Sequence, residues 1–207
     1  NKTYNYSSTL SSDARAIDKT YDNGFIMAGA GATSSQYGDI YVIRTNAYGD
    51  TLWTRTYDKS TSDAAMDVKQ TTDSNFIIAA ITYDTTVYKN NIYLIKTDAA
   101  GDTLWTKKYF YPLHQVVYSI DQTTDGGYIM TGNTDNSNGR SLYLIKTNAT
   151  GDTLWTRTYN PNIDNYGYFV RQTKDGGFII CGATSTGSYI IKTDSLGMVG
   201  NGTGIAE

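Results

Sequence analysis

Three copies of the hexapeptide Gly-Asp-Thr-Leu-Trp-Thr constrain the fold of this chain more than any other feature. Their tryptophans, Trp53, Trp105 and Trp155, recur at nearly equal intervals, inside units that fill nearly all of the 207-residue chain. A period of about 50 residues is typical of a four-stranded propeller blade rather than of a helical repeat. The sequence therefore predicts an all-β repeat protein in which each unit forms one sheet.

Each unit contains four strand-like runs, called a to d here. Run a ends in a turn of Asp, Asn and Gly residues, which accept the positive φ that short hairpins require. Run b is almost wholly apolar, as in residues 76–80, which is typical of strands covered on both faces. Run c closes with a threonine, and a second glycine turn leads into run d, which reads Leu-Trp-Thr-Arg-Thr-Tyr at 52–57 and 154–159.

The spacing within a unit separates fixed segments from variable ones. The step from the threonine of run c to the tryptophan of run d, Thr45 to Trp53 in the first unit, is the same in every unit that has both. The step from that tryptophan to the central aliphatic residue of the next run a, such as Trp53 to Val68, is constant as well. Only the segment between runs b and c changes in length. A localised function is therefore expected in these loops, such as residues 133–141.

The two ends of the chain complement each other. The step from Tyr6 to Ile17 equals the step from Tyr57 to Val68, so residues 2–6 resemble a run d without its own blade. The fourth unit lacks run d. We therefore predict a four-bladed β-propeller whose last blade is closed by the N-terminal strand, which removes an exposed sheet edge.

The predicted boundaries describe a single domain over residues 1–207. They are the closing strand at 1–6, blade 1 at 13–57, blade 2 at 64–109, blade 3 at 116–159, blade 4 at 167–200 with the closing strand, and a tail at 201–207. The predicted framework of the blades consists of Trp53, Trp105 and Trp155 with the turn glycines Gly49, Gly101 and Gly151. Charges alternate at the residue after each central aliphatic, which predicts a central ring of ion pairs from Asp18, Lys69, Asp121 and Arg171.

Composition argues against several partners. The net charge of −3, without a basic stripe, disfavours nucleic acid and anionic membranes, and the longest apolar run, residues 76–81, is far too short to span a bilayer. The chain begins without a methionine or a leader, so we expect a removed signal peptide or an excised segment. Richness in Tyr, Thr, Asn, Ser and Gly suits a location outside the cell or on its surface.

Catalytic signatures are nearly absent from the sequence. His114 is the only histidine, and Cys181, the only cysteine, lies in an apolar run where a buried thiol is expected. These residues support neither a nucleophile with a histidine base nor a zinc site. A carboxylate pair for glycoside hydrolysis stays open among the 19 aspartates, although nearly all of them fall in repeated turns. The sequence thus predicts no catalytic residue, no cofactor and no metal.

Aromatic residues favour a binding role. In a propeller the d-to-a and b-to-c loops share one face, and aromatic platforms beside Asn and Asp suit sugars or a protein partner. The candidate ligand contacts in these loops are Tyr37, Tyr83, Tyr88, Tyr111, His114 and Tyr166, and Tyr109, Phe110 and Tyr168 lie among them. The alternative is that several of these rings pack between blades.

The repeat resembles a known family. Residues 126–132, GGYIMTG, and 142–159, LYLIKTNATGDTLWTRTY, together with KTDSLG at 192–197, are similar to the propeller-forming repeats of secreted Bacteroidota proteins exported by type IX secretion. The resemblance covers essentially the whole chain. It implies export, frequent attachment at the cell surface and, in most members, no defined activity.

From these features we expect a non-catalytic structural or adhesive module, with itself as one potential partner through donation of the N-terminal strand. The alternative is a glycan- or protein-binding propeller that uses the aromatic loop face.

Overall fold

The fold is all-β. The computed structural model describes residues 2–5, 12–32, 38–57, 62–110, 113–136, 139–159 and 164–200, and the regular structure in these residues is entirely β-strand. The strands form four antiparallel sheets in chain order, which confirms the predicted four-bladed β-propeller class. No helix in the described part of the chain has the length and apolar character needed to cross a membrane.

The chain divides into two compact units of two blades each, Asn1–Phe110 and Tyr111–Glu207. Unit 1 contains blade 1, formed by β1 (Ser12–Lys19), β2 (Phe25–Ala32), β3 (Gly38–Thr45) and β4 (Thr51–Tyr57), and blade 2, formed by β5 (Asp63–Gln70), β6 (Phe76–Asp84), β7 (Lys89–Thr97) and β8 (Thr103–Tyr109). Unit 2 contains blade 3, formed by β9 (Gln115–Gln122), β10 (Tyr128–Asn136), β11 (Gly139–Thr147) and β12 (Thr153–Tyr159), and blade 4, formed by β13 (Asn165–Gln172), β14 (Phe178–Thr184) and β15 (Ser188–Thr193). The predicted runs a to d correspond to these strands in order.

The turn residues of each blade adopt the backbone conformations that their residue types favour. The first hairpin turn places Asn23 and Ser74 at φ 65°, and Gly126 and Gly176 at φ 80°. The turn after the third strand of each blade places a glycine at positive φ, as at Gly101, φ 84°. Glycine and asparagine tolerate this left-handed region, so the chain reverses direction at fixed points and sets the strand register.

A cation on the third strand of each blade clips the first hairpin turn. In blade 3 the Lys146 ammonium donates to Asp125 Oδ1 at 3.0 Å and Oδ2 at 2.8 Å, and to the Thr147 carbonyl at 2.8 Å. The same pairing joins Arg44 to Asp22, Lys96 to Asp73 and Lys192 to Asp175. The aspartates of the repeated turns therefore hold the first hairpin to the sheet.

Each unit has its own apolar core, formed where its first blade packs on its second. In unit 1, Ile26 and Val42 of blade 1 pack with Val68 and Ile78 of blade 2, and all four are fully buried. In unit 2, Ile129, Leu142 and Leu144 pack with Val170, Phe178 and Ile180 in the same way. Each such side chain contributes about 1.5–3 kcal/mol by leaving water.

Within each unit, the tryptophan of the first blade's outer strand, Trp53 or Trp155, lies on the second blade. Trp53 contacts the edge of Phe76 at 6.0 Å between ring centroids, and its Nε1 donates to the Ala99 carbonyl at 3.2 Å. Trp155 contacts Phe178 at 5.8 Å. A Cβ on Gly101 would lie 3.1 Å from the Trp53 ring, so the ring can pack here because residue 101 has no side chain.

The N-terminal segment occupies the position of an outer strand but is shifted by two residues from the prediction. Tyr4 Oη donates to the Gly49 carbonyl at 2.6 Å, the bond that Tyr57 Oη makes to the Gly101 carbonyl at 2.7 Å. The spacing of the repeat predicts this role for Tyr6, which lies outside the described residues. Residues 2–5 are not in a strand, and blade 4 contains three strands within the described chain, so its closure by this segment stays a prediction.

The Cys181 thiol is exposed, which corrects the expectation of a buried cysteine. Its apolar run is a central strand, as predicted, but Cys181 lies on the face of β14 opposite the core that blade 4 shares with blade 3. Its partners in register, Phe169 and Ile190, are 61% and 56% exposed. An apolar run shows that a strand is central but does not show that both of its faces are covered.

Candidate functional site

The innermost strand of every blade carries a β-bulge at the same place. The register skips one residue in β1, β5, β9 and β13, and the skipped residues are Arg15, Met66, Tyr118 and Tyr168. A bulge interrupts the alternation of side chains between the two faces of a sheet and changes the direction in which the extra side chain points. Bulges are frequent next to active sites. These four positions hold three different residue types, whereas the position two places later is always Ile or Val.

In unit 2 the bulge residues belong to a cluster of three tyrosines. Tyr118 contacts Tyr168 edge to face at 5.4 Å, and Tyr166 stacks on Tyr168 at 6.0 Å with 9° between the ring planes. Tyr168 is 40% exposed, so the cluster presents ring surface to solvent. Burial raises the pKa of Tyr118 above its usual value, which keeps that phenol protonated near neutral pH.

Arg140 connects this cluster to two carboxylates. Its Nη1 donates to Tyr166 Oη at 3.0 Å, its Nε lies 3.6 Å from Asp135 Oδ1, and its backbone N–H donates to Asp164 Oδ1 at 2.6 Å. The guanidinium also lies over the Tyr166 ring at 5.7 Å, within cation–π distance. The cluster therefore combines ring faces, one cation and two acceptors at the b-to-c loop of blade 3 and the start of β13.

Glycines allow the close approaches that assemble the cluster. Gly139 has φ 126°, and a Cβ there would collide with the Asp164 carboxylate. A Cβ on Gly167 would collide with Thr131 Oγ1, so β13 reaches blade 3 only because residue 167 is glycine. Gly167 thereby sets the position of the two tyrosines that flank it.

Buried amide contacts fix the start of β13. Asn165 is fully buried, its Oδ1 accepts the backbone N–H of Leu142, and its Nδ2 donates to the Tyr159 carbonyl at 3.2 Å. Tyr189 Oη donates to the Tyr166 carbonyl at 3.0 Å. The backbone that carries Tyr166 is therefore held on both sides.

The structure brings together only part of the predicted ligand-binding set. Tyr166 lies in the tyrosine cluster, and the carbonyl of His114 accepts the N–H of Asp135 at 3.0 Å, which places His114 beside the same loop. Tyr83 and Tyr88 belong to unit 1, where Tyr83 is the penultimate residue of β6 and Tyr88 occupies the following turn at φ 55°. Tyr37 and Tyr111 lie outside the described residues.

Sequence reasoning missed Tyr118, Arg140, Asp135 and Asp164. Tyr118 looked like one more strand residue of run a. The available signal was that residue type varies at this position from unit to unit while its neighbours repeat. Arg140 and Asp135 lie inside the variable loop 133–141 that the spacing singled out, although the contact of Arg140 with Asp164 could not be read from the sequence.

The bulge residues of unit 1 form a different contact. Arg15 Nη1 donates to Met66 Sδ at 3.2 Å, and Arg15 Nε donates to Asp13 Oδ2 at 3.0 Å. Asp13 Oδ1 also accepts the N–H of Ala30 at 2.9 Å. The same backbone device thus presents a charged pair in unit 1 and aromatic rings in unit 2.

The charges predicted to form a central ring have other partners within each unit, most of them backbone groups. Asp18 Oδ2 accepts the N–H of Gln70 at 2.9 Å, and Asp121 Oδ2 accepts the N–H of Gln172 at 3.3 Å. Lys69 donates to Asp67 Oδ1 at 3.0 Å, and Arg171 to the Val170 carbonyl at 2.8 Å. The aspartates therefore tie neighbouring inner strands together through the main chain, and the complete ring stays a prediction.

No group of three His, Cys, Asp or Glu side chains in the described part of the chain is placed to hold a metal ion.

Comparison with known proteins identifies the fold. No protein-family model matches the chain, and no curated protein matches its sequence. The structure is similar to the endo-arabinase of Bacteroides thetaiotaomicron, with a TM-score of 0.59 and 12% identity over 86% of this chain and 72% of that one. It is similar to a hypothetical protein from Leishmania major, with a TM-score of 0.50 and 12% identity over 92% and 69% of the two chains. Fructan 1-exohydrolase IIa of Cichorium intybus gives a TM-score of 0.51 and 7% identity over 97% of this chain and 49% of that one.

These comparisons correct the expectation of a non-catalytic structural or adhesive module and of no enzymatic activity. Two of the proteins that share the fold are named for cleaving a polysaccharide. Glycoside hydrolysis needs two carboxylic acids and neither a histidine nor a cysteine. The scarcity of those two residue types was therefore no argument against catalysis in this fold.

Proposed function

We propose that the protein acts on a carbohydrate and binds it on the tyrosine cluster of unit 2. The observation that carries this proposal is the grouping of Tyr118, Tyr166 and Tyr168 beside Arg140. Tyrosine ring faces pack on the C–H faces of sugar rings. Charged groups beside the rings accept hydrogen bonds from the sugar hydroxyls or donate hydrogen bonds to them. The names of two fold neighbours, endo-arabinase and fructan 1-exohydrolase, support a polysaccharide as the ligand class.

The charge of the cluster favours a neutral sugar. Arg140 contributes one positive charge, and Asp135 and Asp164, both in contact with it, contribute two negative charges. The two carboxylates outnumber the guanidinium by one charge, so an acidic sugar would meet excess negative charge. Arabinan and fructan are therefore the first polymers to test, with an acidic polymer such as polygalacturonate as the comparison.

Binding is tested by calorimetry with these three polymers. Tyr168→Ala should weaken the affinity for the preferred neutral polymer by about 2 kcal/mol, or roughly 30-fold in Kd, because it removes the exposed ring of the stack. Tyr48→Ala is the matched control, since Tyr48 is 84% exposed in a turn of blade 1. Equal affinity in the wild type and Tyr168→Ala would reject this site, and failure of the wild type to bind any carbohydrate on a glycan array would reject the function.

Hydrolysis of the bound polymer is a second candidate, favoured by the presence of two carboxylates in the cluster. One carboxylic acid protonates the leaving oxygen, and the other acts as base or nucleophile. Asp135→Asn and Asp164→Asn should each lower the release of reducing ends by about 100-fold or more while leaving affinity nearly unchanged. Release that neither variant slows would assign the chemistry to other residues.

We also propose a location outside the cell, where such polymers occur. The support is the Tyr-, Thr- and Asn-rich composition and the resemblance to exported repeats. Immunodetection in fractionated native cells tests this, and a purely cytoplasmic signal would contradict it.

A further inference from the structure

The face of blade 3 that packs on blade 4 is apolar at its base and polar toward the loops. Ile129 lies at the base, in the core that the two blades share. Three polar residues follow it on β10 at two-residue intervals: Thr131, Asn133 and Asp135. The register of β10 with β11 is continuous through them, so all three side chains point to this face. The row therefore leads from the interior to Asp135, which contacts Arg140 of the tyrosine cluster.

Blade 4 covers the inner part of this row. A Cβ on Gly167 of β13 would lie 2.2 Å from Thr131 Oγ1 and 3.0 Å from Leu142 Cγ. Asn133 is opposite Leu142 in register and two residues from Thr131, so it borders both side chains that β13 approaches. Asn133 is accordingly only 2% exposed. Its burial is thus produced within unit 2, between blades 3 and 4.

Two buried polar atoms on this face lack a protein partner. Asn133 Oδ1 and Ser119 Oγ have no hydrogen-bond partner in the described part of the chain. Ser119 is opposite Thr131 in register, so it lies on the same face and deeper than Asn133. The Thr131 hydroxyl, in contrast, donates to the Tyr143 carbonyl at 3.2 Å. A buried polar group without a partner destabilises the folded state, and in a native protein its presence calls for an explanation.

Unit 1 shows that the packing of two blades does not require these polar groups. The face of blade 1 that packs on blade 2 has alanine at all three equivalent positions in register: Ala16 for Ser119, Ala28 for Thr131 and Ala30 for Asn133. Its apolar base is the same, with Ile26 in place of Ile129. Departures from local stability rules are expected at functional sites, so the unpaired amide of Asn133 is assigned to function rather than to packing.

We propose that Asn133 recognises one hydroxyl group of the bound carbohydrate and is a specificity-determining residue. The inference rests on the proposed function of the tyrosine cluster and adds to it a residue that the ring contacts do not include. A sugar hydroxyl donates to Asn133 Oδ1 and supplies the hydrogen bond that the protein alone does not make. A sugar with hydrogen in place of that hydroxyl leaves the buried acceptor unpaired, and sites of this kind discriminate strongly against such analogues.

The path from the cluster to Asn133 runs past Arg140. Arg140 and Asp135 form the next residue pair on the same face, one step closer to the loops than Asn133 and Leu142. The Arg140 side chain is 51% exposed, and its contacts at this edge are the Tyr166 hydroxyl at 3.0 Å and the Asp135 carboxylate at 3.6 Å. Such exposed contacts contribute little, so an entering sugar displaces the guanidinium at small cost and replaces its partners with hydroxyls.

Asn133→Leu tests the proposal, because leucine keeps the size of the side chain and removes its polar atoms. The probes are linear arabinotriose and linear fructotriose, each compared by calorimetry with analogues that lack one hydroxyl. The wild type should bind its preferred trisaccharide about 30-fold more tightly than one of the deoxy analogues, and Asn133→Leu should bind the two with equal affinity. Ser119→Ala is the matched control: it removes the deeper unpaired atom and should keep the wild-type ratio.

Thermal unfolding without carbohydrate provides a second readout of opposite sign. Removal of an unpaired buried acceptor should raise the melting temperature of Asn133→Leu by about 3 °C. A lower melting temperature would show that the amide has a partner in the folded protein, such as a bound water molecule, and would overturn the proposal.

The binding data distinguish the remaining outcomes. If Asn133→Leu weakens the parent and deoxy sugars equally, the residue only positions the rings, and the proposal is wrong. A wild type that binds a trisaccharide but discriminates against none of its deoxy analogues would overturn this inference and leave the proposed function standing. A wild type that binds neither trisaccharide nor any carbohydrate on the glycan array would overturn both.

Discussion

Replacing Lys146 with Met tests whether the clip between the third strand and the first hairpin turn stabilises a blade. The Lys146 side chain is 5% exposed, and its ammonium donates three hydrogen bonds, two to Asp125 and one to the Thr147 carbonyl. Methionine keeps the apolar stem but removes the charge. The Asp125 carboxylate then retains the Thr123 hydroxyl and the Gly127 N–H as donors.

The size of the effect follows from the surroundings of Asp125. Partial burial works to raise its pKa, but the Lys146 ammonium and the Thr123 hydroxyl outweigh it and lower the pKa from 3.8 to about 2. Such a shift equals about 2.5 kcal/mol at most, shared among the donors and reduced because the Asp125 side chain is 56% exposed. With the lost bond to the Thr147 carbonyl, we expect Lys146→Met to lower the free energy of unfolding by about 1.5–2.5 kcal/mol.

Lys192→Met in blade 4 is the matched control. Lys192 pairs with the equivalent partners, Asp175 Oδ2 at 2.7 Å and the Thr193 carbonyl at 2.9 Å, but its side chain is 44% exposed. Water can replace the lost partners there, so the loss should be smaller. Urea unfolding at pH 7 measures both variants, with the m-value as a check on the unfolding mechanism.

The pH dependence has a defined sign. The folded pKa of Asp125 lies below its unfolded value, so its stabilising contribution is complete above about pH 4 and is lost as the pH falls through about 2. The stability gap between the wild type and Lys146→Met should therefore narrow across this window. Equal destabilisation by the two lysine variants at pH 7, or a gap that does not change with pH, would refute the reasoning.

Three further predictions concern the framework. Gly197→Ala should cost about 1–3 kcal/mol more than Gly176→Ala by thermal unfolding, because both glycines have positive φ but only a Cβ at 197 meets the Trp155 ring, at 2.8 Å. Asn165→Ala should cost about 3 kcal/mol, since it leaves a buried N–H and a carbonyl unpaired, and a loss below about 1 kcal/mol would show that water replaces the amide. The melting temperature of the wild type should fall between about pH 4 and pH 2, because hydrogen bonds and ion pairs lower the pKa of the hairpin aspartates.

The sequence predicted the fold well because the repeat carries redundant signals. Three features indicate four-stranded sheets: the period of the tryptophans, the alternation of apolar runs and the turn glycines. Nearly every sequence repeat contains all of them. The N-terminal segment was placed two residues out of register. Residue counting assumes a connection of constant length, whereas the contact of Tyr4 is set by the turn that it touches.

The candidate site was predicted only in part, for a physical reason. Arg140 and Asp164 are 24 residues apart and meet through two loops whose paths no local pattern encodes. Tyr118 is displaced by a bulge that changes the register by one residue, and an apolar strand gives no sign of such a shift. The exposure of Cys181 depends on what packs against its face of blade 4, which lies beyond the information in a single strand.

The inner-strand bulge also affects how such a protein can change. A bulged residue has no partner across the strand, so its side chain does not take part in the register that holds the blade. Exchanges at the four bulge positions should therefore disturb folding less than exchanges at the fully buried Val68, Ile120 and Val170 two places after a bulge. A combinatorial library confined to the four bulge positions should therefore retain a higher proportion of folded members than a library confined to those buried aliphatic positions. The side chains at the bulges could thus change during evolution while the strand register that stabilises each blade is kept.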